Sequence, residues 1–173
     1  MDNLSSLSNS IDKEWYAVYT ASRHEKAANA ALCEKGKETF LPLREVISQW
    51  KDRKKEIQVP LFPGYLFTNI HLQDRWSVLN TPGIVRILGI NGTPVPVPAQ
   101  QIEAIRELLS SKLKYDPYPY FCEGKEVMVV NGPLQGTRGR ILEKRGACRL
   151  ILSIDFIQRA VSVEVDIRVV ELV

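Results

Sequence analysis

The segment Pro60-Leu61-Phe62-Pro63-Gly64-Tyr65-Leu66-Phe67 constrains the fold more than any other part of the chain. An ordinary strand alternates its side chains between two faces, but a Pro-Gly step breaks that register. Phe62, Tyr65 and Phe67 therefore cannot all point into one core, and at least one ring is expected near the surface. Exposed rings in a cluster mark binding surfaces. The opposing reading is a kinked core strand whose rings all find cover, because aromatic side chains are more often inside than functional.

With 173 residues the chain has room for two small domains. Its net charge of +3 permits contact with nucleic acid but falls short of the basic footprint of a dedicated DNA-binding domain. The polar start, with Ser5, Ser6, Ser8 and Ser10, reads as a disordered tail over residues 1–13. It offers no apolar stretch for export or membrane insertion, so a cytoplasmic location is expected. Cys33, Cys122 and Cys148 lack any Cys-x-x-Cys spacing and read as reduced core thiols. His24 and His71 have no partner at ligand spacing, so neither a metal nor a cofactor is expected. An enzyme is disfavoured: no His or Cys has a positioned acid–base partner, and the Gly-rich stretch does not open a helix.

Trp15 to Thr20 is aromatic and β-branched and reads as a strand leading into a helix. Ser22 is placed as the N-cap, with Glu25 completing a capping box. Ala27, Ala28, Ala31 and Leu32 recur at helical spacing until Gly36 supplies a stop. A strand over Thr39 to Ile47, a charged excursion over Gln49 to Glu56 and a second strand over Ile57 to Ile70 follow. Next come a short helix near Asp74 to Leu79, a strand at Ile84 to Leu88, and a helix over Pro98 to Leu113 with an Ile102, Ile105 and Leu109 stripe. Helices that each offer one apolar stripe need a sheet to bury it. The order predicts a ferredoxin-like split βαβ α+β domain over residues 14–112.

Tyr115-Asp116-Pro117-Tyr118-Pro119-Tyr120 is incompatible with helix, and residues 113–121 read as an extended linker. Beyond it, Val127 and Val129, then Leu150, Leu152, Ile154 and Phe156, then Val161, Val163 and Val165 alternate with polar residues. About five short strands in so short a stretch close best into a small SH3-like β-barrel, residues 122–173, which leaves no exposed edge.

The run from Gly124 through Asn131-Gly132-Pro133 and Gly136-Thr137-Arg138-Gly139 to Ile141 resembles the KOW motif. Trp15-Tyr16-Ala17-Val18-Tyr19, Phe40-Leu41-Pro42, Pro60 to Phe67, the Pro82-Gly83-Ile84 turn and Pro94 to Pro98 resemble the NusG amino-terminal (NGN) domain. Together the resemblance spans Trp15 to Val173. Phe40-Leu41-Pro42-Leu43 and Gln49 to Lys55 are most similar to the specialised UpxY-like and RfaH-like antiterminators.

This resemblance implies an elongation factor whose NGN domain sits on the clamp helices of RNA polymerase and suppresses pausing, while the KOW domain recruits a partner such as a small-subunit ribosomal protein. It places the clamp-facing surface on Tyr19, Phe62, Pro63, Tyr65 and Phe67. Arg23, His24 and Lys26 would face the non-template DNA strand. On residue chemistry, Lys51, Arg53 and Lys54 offer a second DNA contact beside Trp50, and a solvated mixed-sign loop is the plainer reading. Phe156, Ile157 and Arg159 stand where the barrel would meet its partner.

Two departures matter. Arg75 to Asn80 lacks the threonine-rich turn of RfaH-like proteins, and Asp155 to Arg159 lacks the Phe-Gly-Arg loop of the housekeeping factor, which leaves Rho binding open. The glycines, Pro133 and the alternation after Arg149 favour a β-barrel with free domains over the helical hairpin that RfaH-like barrels can adopt, and a monomer is expected. The alternatives are a housekeeping NusG-type factor coupled to Rho and a ribosome-associated KOW RNA-binding protein. For the latter, eight basic against seven acidic residues over 121–173 give little positive field.

Overall fold

The computed structural model describes residues 12–118, 124–144 and 147–173. The expected tail up to Ile11, the end of the expected linker and Cys122 lie outside the described residues. In chain order the elements are β1 (Glu14–Thr20), α1 (Glu25–Glu34), β2 (Glu38–Phe40), β3 (Leu43–Gln49), β4 (Lys54–Pro60), β5 (Tyr65–Ile70), α2 (Arg75–Leu79) and β6 (Ile84–Ile87). Then follow β7 (Gly89–Ile90), β8 (Thr93–Pro94), β9 (Pro96–Val97), α3 (Ala99–Ser110), β10 (Tyr115–Tyr118), β11 (Lys125–Val129), β12 (Arg138–Lys144), β13 (Ala147–Ile154), β14 (Arg159–Val165) and β15 (Val170–Leu172).

The chain divides into two compact units, Met1–Leu41 with Gly64–Pro96, and Pro42–Pro63 with Val97–Val173. In the first unit the strands run in the order β2-β5-β1-β6, with β5 antiparallel to β1 and β2, and β1 antiparallel to β6. This is the split βαβ order expected from the sequence. One sheet face carries Tyr16, Val18, Leu66 and Ile70, which pack with Ala28 and Leu32 of α1 and Val78 of α2. Period two in β1 and β5 and helical spacing in α1 thus meet in one core. The expected strand Ile57 to Ile70 is two strands, because the turn at residues 61–64 interrupts it, and Thr39 to Ile47 likewise breaks after Phe40.

In the second unit, β3 and β4 pair from Leu43 with Pro60 to Gln49 with Lys54, forming a two-stranded ribbon. The remaining strands form a sheet in the order β10-β14-β13-β12-β11-β15. Val127, Val129, Leu150, Leu152, Ile154, Val161 and Val163 fill its core, as the alternation predicts. Gly139 is required by close approach, since a Cβ there would lie 2.7 Å from the Ile151 carbonyl oxygen. Ala160 to Val163 are all buried, so β14, paired on both edges, is covered on both faces.

Three expectations need correction. Tyr115–Tyr118 pairs with β14 instead of running free as linker, and Pro117 is tolerated because β10 is an edge strand. Cys33 is exposed and Cys148 half-buried, so neither is a core thiol. The barrel is not free of α3: that helix packs against β13, Gln101 Nε2 donates to Asp155 Oδ2 at 2.8 Å, and Thr137 Oγ1 donates to Glu107 Oε2 at 3.0 Å. On α3 the buried side chains are Ile102, Ala104, Ile105 and Leu108, with Leu109 only half-buried.

Candidate functional site: an aromatic row across three strands

Antiparallel register sets Tyr19 of β1 opposite Tyr65 of β5 and, on its other side, opposite Arg86 of β6. Directly opposed side chains on one face lie within contact distance. The two tyrosine rings are 5.5 Å apart and tilted by 58°, and the Arg86 guanidinium lies 5.5 Å from the Tyr19 ring. Both arrangements are favourable, the first through the ring quadrupoles and the second as a cation–π contact. Tyr19 is 37% exposed, Tyr65 is half-buried and Pro63 is exposed, so the row is open to solvent at one end of the sheet.

Phe62 and Phe67 do not belong to that surface. Phe62 is 2% and Phe67 0% exposed, which corrects the expectation that both present rings to a partner. Phe67 sits in a central strand opposite Ala17 and Phe40, stacking on the Phe40 ring at 6.2 Å, while the turn before Gly64 tucks Leu61 and Phe62 inward. The Pro-Gly step thus separates the buried Phe62 from β5, where Tyr65 is half-buried at the strand end and Phe67, two residues on, is fully buried in the middle of the sheet. Gly64 makes that turn with φ +84, where a Cβ would lie 3.1 Å from the Tyr19 ring.

The start of α1 differs from expectation. The helix begins at Glu25, its N-cap is His24 without a side-chain cap, and no capping box with Ser22 forms. Glu25 instead turns inward, 7% exposed, and its Oε1 accepts a 2.8 Å hydrogen bond from the Gly64 N–H. Arg23, with φ +63, and the exposed His24 and Lys26 are left facing solvent beside it. Arg23, His24 and Lys26 thus stand exposed around the start of α1, with Glu25 between them turned inward.

A second cationic cluster occupies the β3–β4 tip. The Trp50 N–H donates to the Arg53 carbonyl at 2.9 Å, closing the loop, and Lys51, Arg53 and Lys54 are all exposed. Trp50 is 58% exposed and Lys55 Nζ lies 5.9 Å from its ring centroid. Sequence reasoning missed Arg86, whose place in the row comes from strand register alone, and the exposed Trp76, whose ring stands 5.5 Å from the Arg75 guanidinium.

On the barrel, Phe156 is half-buried and Arg159 exposed, but Ile157 is buried and is withdrawn from the expected partner surface. Gln158 adopts a left-handed conformation, φ +51, which carries the chain out of the turn after Ile157. Asp155, which opens that turn, is held at both its carboxylate and its N–H by the Gln101 amide of α3. Among the described residues no three His, Cys, Asp or Glu side chains gather as metal ligands, and no helix is long and apolar enough to cross a membrane.

Comparison with known proteins bears on this architecture. Residues 13–106 match the family model described as NusG, transcription termination factor. The transcription termination/antitermination protein NusG of Thermus thermophilus is 33% identical, over 88% of this chain and 95% of its own length. The Lactococcus lactis protein of the same name is 26% identical, over 94% of each chain. A solved structure concerned with domain interaction in Thermotoga maritima NusG, 23% identical, superposes with a TM-score of 0.55 over 94% of this chain and 98% of that one, a likeness of fold.

Split βαβ unit, KOW-type strands and these matches define a transcription elongation and antitermination factor of the NGN–KOW class. The chain belongs to the NusG family. The members of that family are transcription factors.

Proposed function

We propose that this factor docks on the clamp helices of RNA polymerase through Tyr19, Pro63, Tyr65 and Arg86, and suppresses pausing and termination as a specialised, UpxY/RfaH-like member of its family. The Tyr65–Tyr19–Arg86 row carries the reading: it is aromatic, solvent-open and held rigid by strand register. Rigid aromatic side chains with an arginine beside them are the residue types that dominate binding energy at protein interfaces. Phe62 and Phe67 contribute as buried packing and not as contacts.

In this reading Arg23, His24 and Lys26, and separately Lys51, Arg53 and Lys54, face the non-template DNA strand of a cytoplasmic elongation complex. Phe156 and Arg159 offer the barrel's contact to a recruited protein, a small-subunit ribosomal protein being the partner of choice. The test is polymerase binding and in vitro elongation with the full chain. The factor shortens pauses, and Tyr19→Ala abolishes that effect in a protein that remains folded. Unchanged pausing with bound wild-type protein would sink the antitermination role.

A second reading is the housekeeping factor coupled to Rho, favoured by the names of the two relatives described above, both termination/antitermination proteins. Rho-dependent termination in a purified system separates the two, since the specialised factor leaves it unstimulated.

A further inference from the structure

Glu25 is the one charged side chain buried among the described residues. Burying a carboxylate is costly unless hydrogen bonds compensate it. Part of that compensation is its place in the first turn of α1, where the helix dipole favours negative charge. The rest is specific: its Oε1 receives the Gly64 N–H at 2.8 Å, across 39 residues of chain. The carbonyl of the same glycine accepts from the Thr20 N–H at 2.9 Å. Both polar groups of Gly64 are therefore held, one by α1 and one by the end of β1.

This glycine is the pivot of the aromatic row. It precedes Tyr65, follows the exposed Pro63, and runs so close to Tyr19 that an added Cβ would lie 3.1 Å from that ring. Strand register pairs the two tyrosines, and the turn lies where β5 begins at Tyr65 and against the Tyr19 ring. We propose that Glu25 is the positioning residue of the polymerase-facing row: its carboxylate locks the Pro63-Gly64 turn so that Tyr19 and Tyr65 present one preformed surface. The proposal rests on the docking reading above for its consequence, but the ring geometry it predicts is independent of any partner. Preorganisation of this kind improves affinity by removing the ordering cost at the moment of binding.

The test uses the full chain in four forms beside wild type: Glu25→Gln, Glu25→Asp, Glu25→Ala and, as a core control, Val78→Ala. Three quantities are measured, the nuclear Overhauser contacts between the Tyr19 and Tyr65 rings, the affinity for core RNA polymerase, and the thermal midpoint. Glu25→Gln keeps an acceptor oxygen at the same reach, and is expected to retain the ring contacts and to bind within about twofold of wild type. Glu25→Asp keeps the charge but withdraws the acceptor by one methylene. It is expected, like Glu25→Ala, to lose the ring contacts and to bind at least tenfold more weakly. Val78→Ala is expected to lower the midpoint while keeping the contacts and the affinity, which separates positioning from general destabilisation. If Glu25→Ala does not fold, Glu25→Asp carries the test. Ring contacts that persist in folded Glu25→Asp or Glu25→Ala overturn the proposal, as does a Glu25→Gln protein that loses them. Wild-type protein that fails to bind polymerase overturns the docking reading and leaves the ring contacts to judge Glu25.

Discussion

Tyr19 and Tyr16 lie three residues apart on one strand and meet opposite fates, because alternation sends Tyr16 into the core and leaves Tyr19 on the other face, at the end of the sheet. At Tyr65, beside Tyr19, the Tyr65→Ala variant removes the neighbouring ring of the row and is expected to weaken polymerase binding by about 1–4 kcal/mol, the range for a truncated hot spot. The fold survives, since Tyr65 is not in the core cluster, so circular dichroism should be unchanged while a binding titration shifts. Tyr16 makes a pH prediction. Burial, reinforced by its 3.1 Å hydrogen bond to Glu14 Oε2 and by that carboxylate's charge, pushes its hydroxyl from 10.0 up to about 12. Between those values the unfolded chain binds fewer protons than the folded one, so stability falls as pH rises. The contribution is complete below about 10 and gone above about 12. Urea midpoints measured across that window should fall less steeply for Tyr16→Phe, with Tyr115, also raised by burial, leaving a residual slope.

Elements were legible where a period ran uninterrupted and illegible where a contact came from elsewhere in the chain. Helix α1, helix α3 and the strands of the core follow from spacing alone. The break at Leu41-Pro42 and the turn before Gly64 are local too, yet they split strands that composition reads as continuous. Glu25 illustrates the limit: Ser22 and Glu25 stand at capping-box spacing, but the carboxylate finds a better donor in Gly64, which sequence distance hides. The β3–β4 hairpin is an element whose function can be tested by itself. Its tip presents Lys51, Arg53 and Lys54 around the exposed Trp50, an arrangement suited to phosphates and a stacked base. Binding of a single-stranded oligonucleotide should weaken with salt, each phosphate contact adding about −0.7 to the logarithmic slope. Replacing the three cations by alanine should therefore flatten the slope by up to about 2. A slope that does not change assigns the contact to Arg23, His24 and Lys26 instead.

At the scale of the molecule, the sequence shows two modules but not how the second is bounded. The stretch Tyr115 to Tyr118, with Pro117, looks like tether, yet a proline can close a sheet edge when its missing N–H faces away from the neighbour, and β10 is such an edge. The docking of α3 on β13 was equally hidden, because Gln101 and Asp155 are ordinary surface residues by composition and become partners only when folded. What composition does decide is the secondary structure of the barrel. Val161, Val163 and Val165 are β-branched, Gly139 leaves no room for a side chain against Ile151, and Gly136 adopts φ +86, a region that other residues enter only with strain. A helical hairpin built from the same residues would place these valines and glycines in helix interiors, each glycine costing about 0.8–1 kcal/mol relative to alanine. It would also forfeit the packed core around Leu150, Leu152 and Ile154. Truncating that core by Leu150→Ala should cost about 2–5 kcal/mol, as for other buried leucines. The decisive measurement is far-ultraviolet circular dichroism of residues 115–173 alone and within the full chain. Both should report strands for this region, the full chain adding the signals of β1–β9 and the helical signal of α1, α2 and α3. A helical excess beyond those three, lost on isolating the fragment, would mean that contact with the rest of the chain converts the barrel, and that its β propensity is too weak to hold the fold.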